Sequence, residues 1–194
     1  MQVPSMADPN RNAEPDWDFT NPMYTKSYAS LLQACTHIKS LEILHTHLII
    51  SGLEQSPFLG AKLVTMYTMF SCIEDARHVF DKIHERDVVL WNAMLRTYAR
   101  AGDCDETLAL YYEMQKNGML PDKFTFAFAL KACVGLSSLE EGKEIHYHIR
   151  EAGLESAVID MYAKCGRMED ACQSFHAMPG RDIVSWNAMI SGYA

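Results

Sequence analysis

The sequence predicts an all-α fold, a right-handed superhelix in which antiparallel helix pairs stack into a solenoid. Residues 66–99 match residues 161–194 at 15 of 34 positions, so the chain repeats itself at an offset of 95 residues. Apolar residues recur at helical spacing, and no long stretch alternates with the period of two that marks strands. Because one helical hairpin cannot bury its apolar face alone, such a repeat requires stacked neighbours.

The first 24 residues are predicted to be a disordered leader. They carry four prolines among acidic residues, a composition that builds no core. They lack the apolar segment of a secretory signal and the arginine-rich, acid-poor composition of an organellar transit peptide. No apolar run approaches the roughly 18 residues of a membrane span, so we expect no membrane partner.

A second internal match sets the number of helix pairs. Gly52 aligns with Gly153 at an offset of 101, and the offset falls to 95 by Met161. Six residues are therefore missing from the second copy, between Glu155 and Met161. A super-repeat of 95–101 residues divides into about three units of the length of known helical-hairpin repeats.

The best-preserved unit shows how each helix begins and ends. Val89–Arg100 is predicted to be a first helix, which Gly102 terminates. Asp103 is expected to cap the second helix and to form a capping box with Glu106. Gly118 then ends the second helix as a C-cap glycine.

The strings WNAMI, MYAKCG and SLEEGKEIH resemble the pentatricopeptide-repeat (PPR) family of plants, in the PLS subclass that alternates motifs called P, L and S. The chain is similar to a short, truncated member without a DYW deaminase domain. That domain needs an HxE and a CxxC to hold zinc, and neither string occurs here. The expected units are 25–56 (L-like), 57–87 (S), 88–122 (P), 123–157 (L), 158–182 (S, without its first six positions) and 183–194 (the start of a P motif).

The resemblance implies sequence-specific binding of single-stranded RNA, one base per repeat. It implies a place in organellar RNA processing or modification, such as editing-site recognition, in a mitochondrion or chloroplast. We expect no catalysis by this chain, no cofactor and no metal site. Any editing activity would then require a protein partner in trans.

In the family, the fifth residue of a motif faces the base edge, the last residue supports it, and the second packs on the base face. The resemblance thus implies that Asn92 and Asp122 read uracil at unit 88–122, with Val89 against the base. The Asn amide offers a donor and an acceptor, which matches a pyrimidine edge. The remaining implied base-reading residues are Asn187, Ala61, Asp87 and Ala127, and the implied stacking residues are Phe124, Val184 and Phe58. An alanine methyl cannot bond a base, so we expect weak, poorly specific binding.

The net charge of -8 opposes RNA binding unless positive charge gathers on one face. A protein-interaction scaffold and a non-functional truncated fragment are therefore alternative hypotheses. The charge of the concave face distinguishes RNA binding from the protein scaffold. We expect Arg96, Arg100 and Lys131 near that face, and an acidic face would count against RNA binding. An alternative role for Asn92 is to cap a helix. Trp91 and Trp186 are expected to pack in the core rather than against bases.

Overall fold

In a computed structural model, residues 22–164 and 166–193 are described, and this part contains eleven α-helices and no strand. The all-α prediction is confirmed. The predicted leader lies outside the described residues except for its last three. None of the described helices is long and apolar enough to span a membrane. The helices are α1 (Pro22–Gln33), α2 (Ile38–Ile50), α3 (Pro57–Met69), α4 (Ile73–Lys82), α5 (Val88–Ala101), α6 (Cys104–Lys116), α7 (Lys123–Leu136), α8 (Leu139–Glu151), α9 (Glu155–Lys164), α10 (Met168–Ala177) and α11 (Ile183–Tyr193).

The helices form two layers. The odd-numbered helices α1 to α11 contact one another in chain order, and we call them the inner layer. The even-numbered helices α2 to α10, the outer layer, pack on the inner helices but lie too far apart for comparable contact with each other. Closer spacing in one layer curves the stack toward it, so the inner layer lines the concave surface.

Helix ends follow the sequence signals with one exception. Asp87 caps α5 by accepting from the Leu90 N–H at 2.8 Å, and Gly102 ends that helix at φ +84°. The expected side-chain cap by Asp103 is wrong. Its side chain makes no capping bond, and its backbone carbonyl instead accepts from the Thr107 hydroxyl at 2.8 Å.

The core repeats the same aromatic contact in both copies. Trp91 is buried and meets Phe80 edge-on, with ring centroids 4.9 Å apart. Trp186 meets Phe175 at 4.7 Å in the same orientation, yet 52% of its surface is exposed. The core assignment is therefore right for Trp91 and wrong for Trp186, which is half-exposed. Trp186 is open because no described helix covers α11 as α6 covers α5.

The six missing residues are shared between a connector and a helix. Residues 51–56 join α2 to α3, whereas residues 152–154 alone join α8 to α9. Helix α3 has 13 residues and its counterpart α9 has 10. Helix α9 begins at Glu155, so the expected unit limit between residues 157 and 158 falls inside a helix.

Candidate nucleic-acid interface

The two layers carry opposite charge. The inner helices contain seven lysines and arginines against two acidic residues. The outer helices contain six basic residues against thirteen acidic ones. Within the described helices, acidic residues are therefore concentrated on the outer layer, and the inner layer is left with the capping carboxylates of Asp87, Asp122 and Asp182 at its junctions. That surface is suited to a polyanion.

The basic side chains expected on this surface lie there. Arg96 donates to the Thr65 hydroxyl at 3.0 Å, and Lys131 donates to the Ala99 carbonyl at 3.2 Å. Each bond links two successive inner helices, and neither cation pairs with a carboxylate of residues 22–164 or 166–193. Arg100 is exposed in the last turn of α5.

Asn92 and Asp122 are directly joined. The Asn92 amide nitrogen donates to both Asp122 carboxylate oxygens at 3.0 Å. The Thr125 hydroxyl donates to the Asn92 amide oxygen at 2.7 Å, which fixes which end of the amide faces which neighbour. Asn92 does not cap its helix, because α5 begins at Val88 and is capped by Asp87.

These bonds leave a defined set of groups for a ligand. An amide carries two N–H donors and an oxygen with two lone pairs. Asp122 takes one N–H and Thr125 one lone pair, so Asn92 retains one donor and one acceptor. It is half-buried and held in place before any ligand arrives. A donor beside an acceptor complements the edge of a pyrimidine.

Ser156 and Asp182 form a second pair that the sequence reasoning missed. The Ser156 hydroxyl lies 3.0 and 3.1 Å from the Asp182 carboxylate oxygens. Bonds from the Ser185 backbone N–H, the Ser185 hydroxyl and Ser156 lower the pKa of the Asp182 carboxyl. The signal was available, because Ser156 precedes Asp182 by the interval that separates Ala61 from Asp87. The sequence analysis instead placed the six missing residues at the start of unit 158–182, which left that unit without a fifth residue.

The other expected base-reading positions lack a partnered polar pair. Ala61 and Ala127 are buried, and their methyl side chains have no hydrogen-bonding group to offer to a base. Asp87 is exposed and serves as the cap of α5. Asn187 is exposed on α11, at the place equivalent to Asn92.

The four expected stacking residues are apolar side chains that solvent can reach. Phe58, Val89, Phe124 and Val184 are between 46% and 58% exposed. Amino groups accompany the two phenylalanines, at 5.8 Å from the Phe58 ring centroid for Lys62 and 5.3 Å from the Phe124 ring centroid for Lys123. A base could stack on such a ring while the cation meets its phosphate.

The sequence contains two HxH strings, His45 with His47 and His146 with His148, and three of these histidines bond to tyrosines of neighbouring helices. His47 bonds the Tyr28 hydroxyl at 2.7 Å, and His45 bonds the Tyr67 hydroxyl at 3.0 Å, so the two rings turn toward different helices. His148 bonds Tyr111 at 2.9 Å in the same way. Among the described residues, no group of three or more His, Cys, Asp or Glu side chains is arranged to hold a metal ion.

Comparison with known proteins places these features in a family. Residues 86–135 match the PPR repeat family, and residues 156–183 and 184–194 match the PPR repeat. The chain is 40% identical over 182 residues to the pentatricopeptide repeat-containing protein CRR2, chloroplastic, of Arabidopsis thaliana, covering 87% of this chain and 28% of that protein. A mitochondrial pentatricopeptide repeat-containing protein of the same plant is 35% identical over 172 residues, covering 87% and 27%. The chain thus spans about a quarter of the length of these curated relatives.

The fold has a counterpart among solved structures. The crystal structure of the pentatricopeptide repeat protein PPR10 from maize superposes with a TM-score of 0.52 at 20% identity. The superposition covers 84% of this chain and 25% of the maize chain. The likeness is one of architecture: stacked helix pairs in the same order.

Proposed function

The chain belongs to the pentatricopeptide-repeat family, and we propose that it binds single-stranded RNA along its inner layer without catalysis of its own. The observation that carries this proposal is the concentration of basic residues on the inner layer of an acidic chain. We propose that the binding serves RNA processing or modification in a chloroplast or mitochondrion, the compartments named for its relatives. Any editing chemistry would come from a protein partner.

Electrostatics supplies the affinity in this proposal. Nucleic-acid backbones bind where cations replace the condensed counterions, and each neutralised phosphate contributes to the salt dependence of binding. Arg96, Arg100 and Lys131 follow one another along the inner helices α5 and α7. A strand that follows this row would keep its phosphates away from the acidic outer layer.

Specificity is confined to few positions. Asn92, fixed by Asp122, would read a pyrimidine, and the family resemblance favours uracil. Ser156, paired with Asp182, would offer a second polar contact. The alanines elsewhere leave stacking, which contributes about 1–3 kcal/mol per base and accepts any sequence. The expected binding is therefore weak and selective at one or two bases.

A matched pair of charge reversals tests the proposal. Arg100 and Lys116 are both exposed and both lie in the last turn of their helix, on the inner and outer layers respectively. Each change to Glu alters the chain charge and the helix-end electrostatics equally. Fluorescence anisotropy with a labelled uracil-rich oligonucleotide should show Arg100→Glu weakening binding about tenfold and flattening the salt slope by about 0.7 or more. Lys116→Glu should leave both unchanged.

Equal effects of the two reversals would refute RNA binding on the inner layer. No binding of the oligonucleotide by the parent chain, with binding of a basic peptide instead, would favour the protein-scaffold alternative. Base reading has its own test: selection from random single-stranded RNA at fixed salt should enrich uracil. Asn92→Ala should abolish that enrichment, and Asn117→Ala, a control on the outer layer, should not.

A further inference from the structure

A cavity of about 380 Å³ opens between helices α7, α8, α9 and α10, apart from the base-reading pairs. Leu130, Cys133 and Val134 give it an apolar floor. His146 and Tyr162 line it with polar groups. Its volume falls within the range of sites that enclose small organic ligands.

The opening lies where the second copy differs from the first. His146 and Tyr162 correspond to His45 and Tyr67 of the first copy, at offsets of 101 and 95. In the first copy the two side chains bond at 3.0 Å and their rings pack at a centroid distance of 5.7 Å. In the second copy no such bond or ring contact forms among the described residues. The cavity thus lies beside a His and a Tyr that are not joined to each other, next to the shorter connector between α8 and α9.

Tyr162 brings a hydroxyl group to this cavity. The residue is only 3% exposed, and within the described part of the chain its hydroxyl makes no hydrogen bond. The hydroxyl oxygen is not one of the polar atoms sealed from solvent without a partner, so solvent reaches it through the opening. Burial of the residue raises its pKa to about 12, so it remains a neutral donor at physiological pH. The hydroxyl can therefore donate a hydrogen bond to a guest in the cavity.

The rim of the cavity is positive although the outer layer is acidic. Lys131, Lys143 and Arg167 line it, against one carboxylate, Asp170. Arg167 pairs with Asp170 at 2.7 Å and also lies 5.1 Å from the Tyr162 ring centroid. Lys143 pairs with Glu140 at 2.8 Å, whereas Lys131 pairs with no carboxylate in the described part of the chain. The lining thus retains the free positive charge of Lys131 beside an apolar floor.

We propose that this cavity binds a compact aromatic anion, with its ring system on the apolar floor and its anionic group at the basic rim. Tyr162 would donate a hydrogen bond to the guest, and His146 would pack beside it. The required chemistry is a planar ring bearing a carboxylate, sulfonate or phosphate. The site shares Lys131 with the proposed RNA surface, but its tests use no RNA, so their outcome is distinguishable from that of the RNA titrations.

Two probes of matched shape test the charge requirement on the full chain. 8-Anilinonaphthalene-1-sulfonate is an aromatic anion, and N-phenyl-1-naphthylamine has the same rings without the sulfonate. Fluorescence titration should show the sulfonate bound at one site at least fivefold more tightly than the neutral probe. Equal affinities would overturn the proposal.

A cavity-filling variant locates the site. Gly142 lines the cavity within α8, and a Cβ there would lie 3.9 Å from the Cys133 Cβ, an ordinary contact. Gly142→Leu should lower sulfonate affinity at least tenfold while maintaining or raising the Tm, because a helix interior favours Leu over Gly. Tyr162→Phe should weaken binding several-fold. Tyr67→Phe, the equivalent change in the closed first copy, should not. Unchanged affinity in Gly142→Leu would refute the site.

Discussion

Asp122 performs two tasks that one substitution can separate. Its carboxylate caps α7 by accepting from the Phe124 and Thr125 backbone N–H groups at 2.9 and 3.0 Å, and it also holds the Asn92 amide. Asp122→Asn keeps an oxygen for the cap, and Asn and Asp are comparable N-caps. Its new NH₂ group, however, would replace the other oxygen and face the Asn92 NH₂ group, donor against donor, so Asn92 would keep only its contact with the capping oxygen. Losing a bond to a charged acceptor costs about 1.5–3 kcal/mol. Since both side chains are half-buried, we expect a value near the lower limit.

Asp87→Asn is the matched control. Asp87 also caps its helix, α5, through one backbone N–H, that of Leu90, but the fifth residue of its unit is Ala61, which has no amide to hold. Both variants lose a negative charge at a helix N-terminus, so that cost of about 0.3–1 kcal/mol cancels in the comparison. Urea unfolding followed by circular dichroism should show Asp122→Asn less stable than Asp87→Asn by about 1.5 kcal/mol.

The same pair of variants should differ in RNA binding. A loss of about 1.4 kcal/mol corresponds to tenfold weaker binding, and Asp122→Asn should lose about that much affinity for a uracil-rich oligonucleotide in anisotropy titrations. Asp87→Asn should bind as the parent does. Equal stability and equal affinity of the two variants would show that the contact between Asn92 and Asp122 has no energetic weight.

Three further outcomes are expected. Trp91→Ala should cost about 3–5 kcal/mol in urea unfolding, whereas Trp186→Ala, at a half-exposed position, should cost under about 1 kcal/mol. Gly192→Ala should destabilise the chain by about 1–3 kcal/mol in the same assay, because its Cβ would lie 2.7 Å from the Ala163 Cβ. Burial lowers the pKa of His45 below its ordinary 6.5, so the unfolded chain binds the proton first. The Tm should therefore fall as the pH drops below about 6.5, and His45→Gln should reduce that fall.

The fold could be predicted from the sequence because the residues that begin and end a helix act locally. Gly102 and Gly118 adopt positive φ angles of 84° and 73°, near the predicted helix ends. Such angles favour glycine over other residues, so the residue type itself carries the signal. Asp103 shows where locality fails. A capping residue type precedes α6, but the choice between side-chain and backbone acceptor depends on the turn geometry, which residue identity does not specify.

The candidate site was predictable only where the spacing was regular. Asn92 and Asp122 stand at the ends of an undisturbed unit, and the structure brings them to 3.0 Å. The contact between Ser156 and Asp182 crosses the deletion. When positions are counted forward from the end of the preceding unit, the deletion falls on the fifth position. The count alone cannot show whether the connector or the helix is the shorter one. The chain shortens both, and Ser156 comes to lie beside Asp182.

The Asp at the last position of a unit suggests how such a solenoid could change its base-reading residues and stay folded. Asp87, Asp122 and Asp182 each accept a backbone N–H at the start of the next inner helix. Helix capping is therefore reason enough for an Asp at each of these positions, with or without RNA binding. A carboxylate is therefore present on the concave surface at each of these junctions, whichever residue occupies the fifth position. Where that residue is Ala61, the carboxylate serves only the helix. Where it is Asn92, the same carboxylate orients an amide. The proposed base specificity would then depend on one side chain added to a junction that stability already requires.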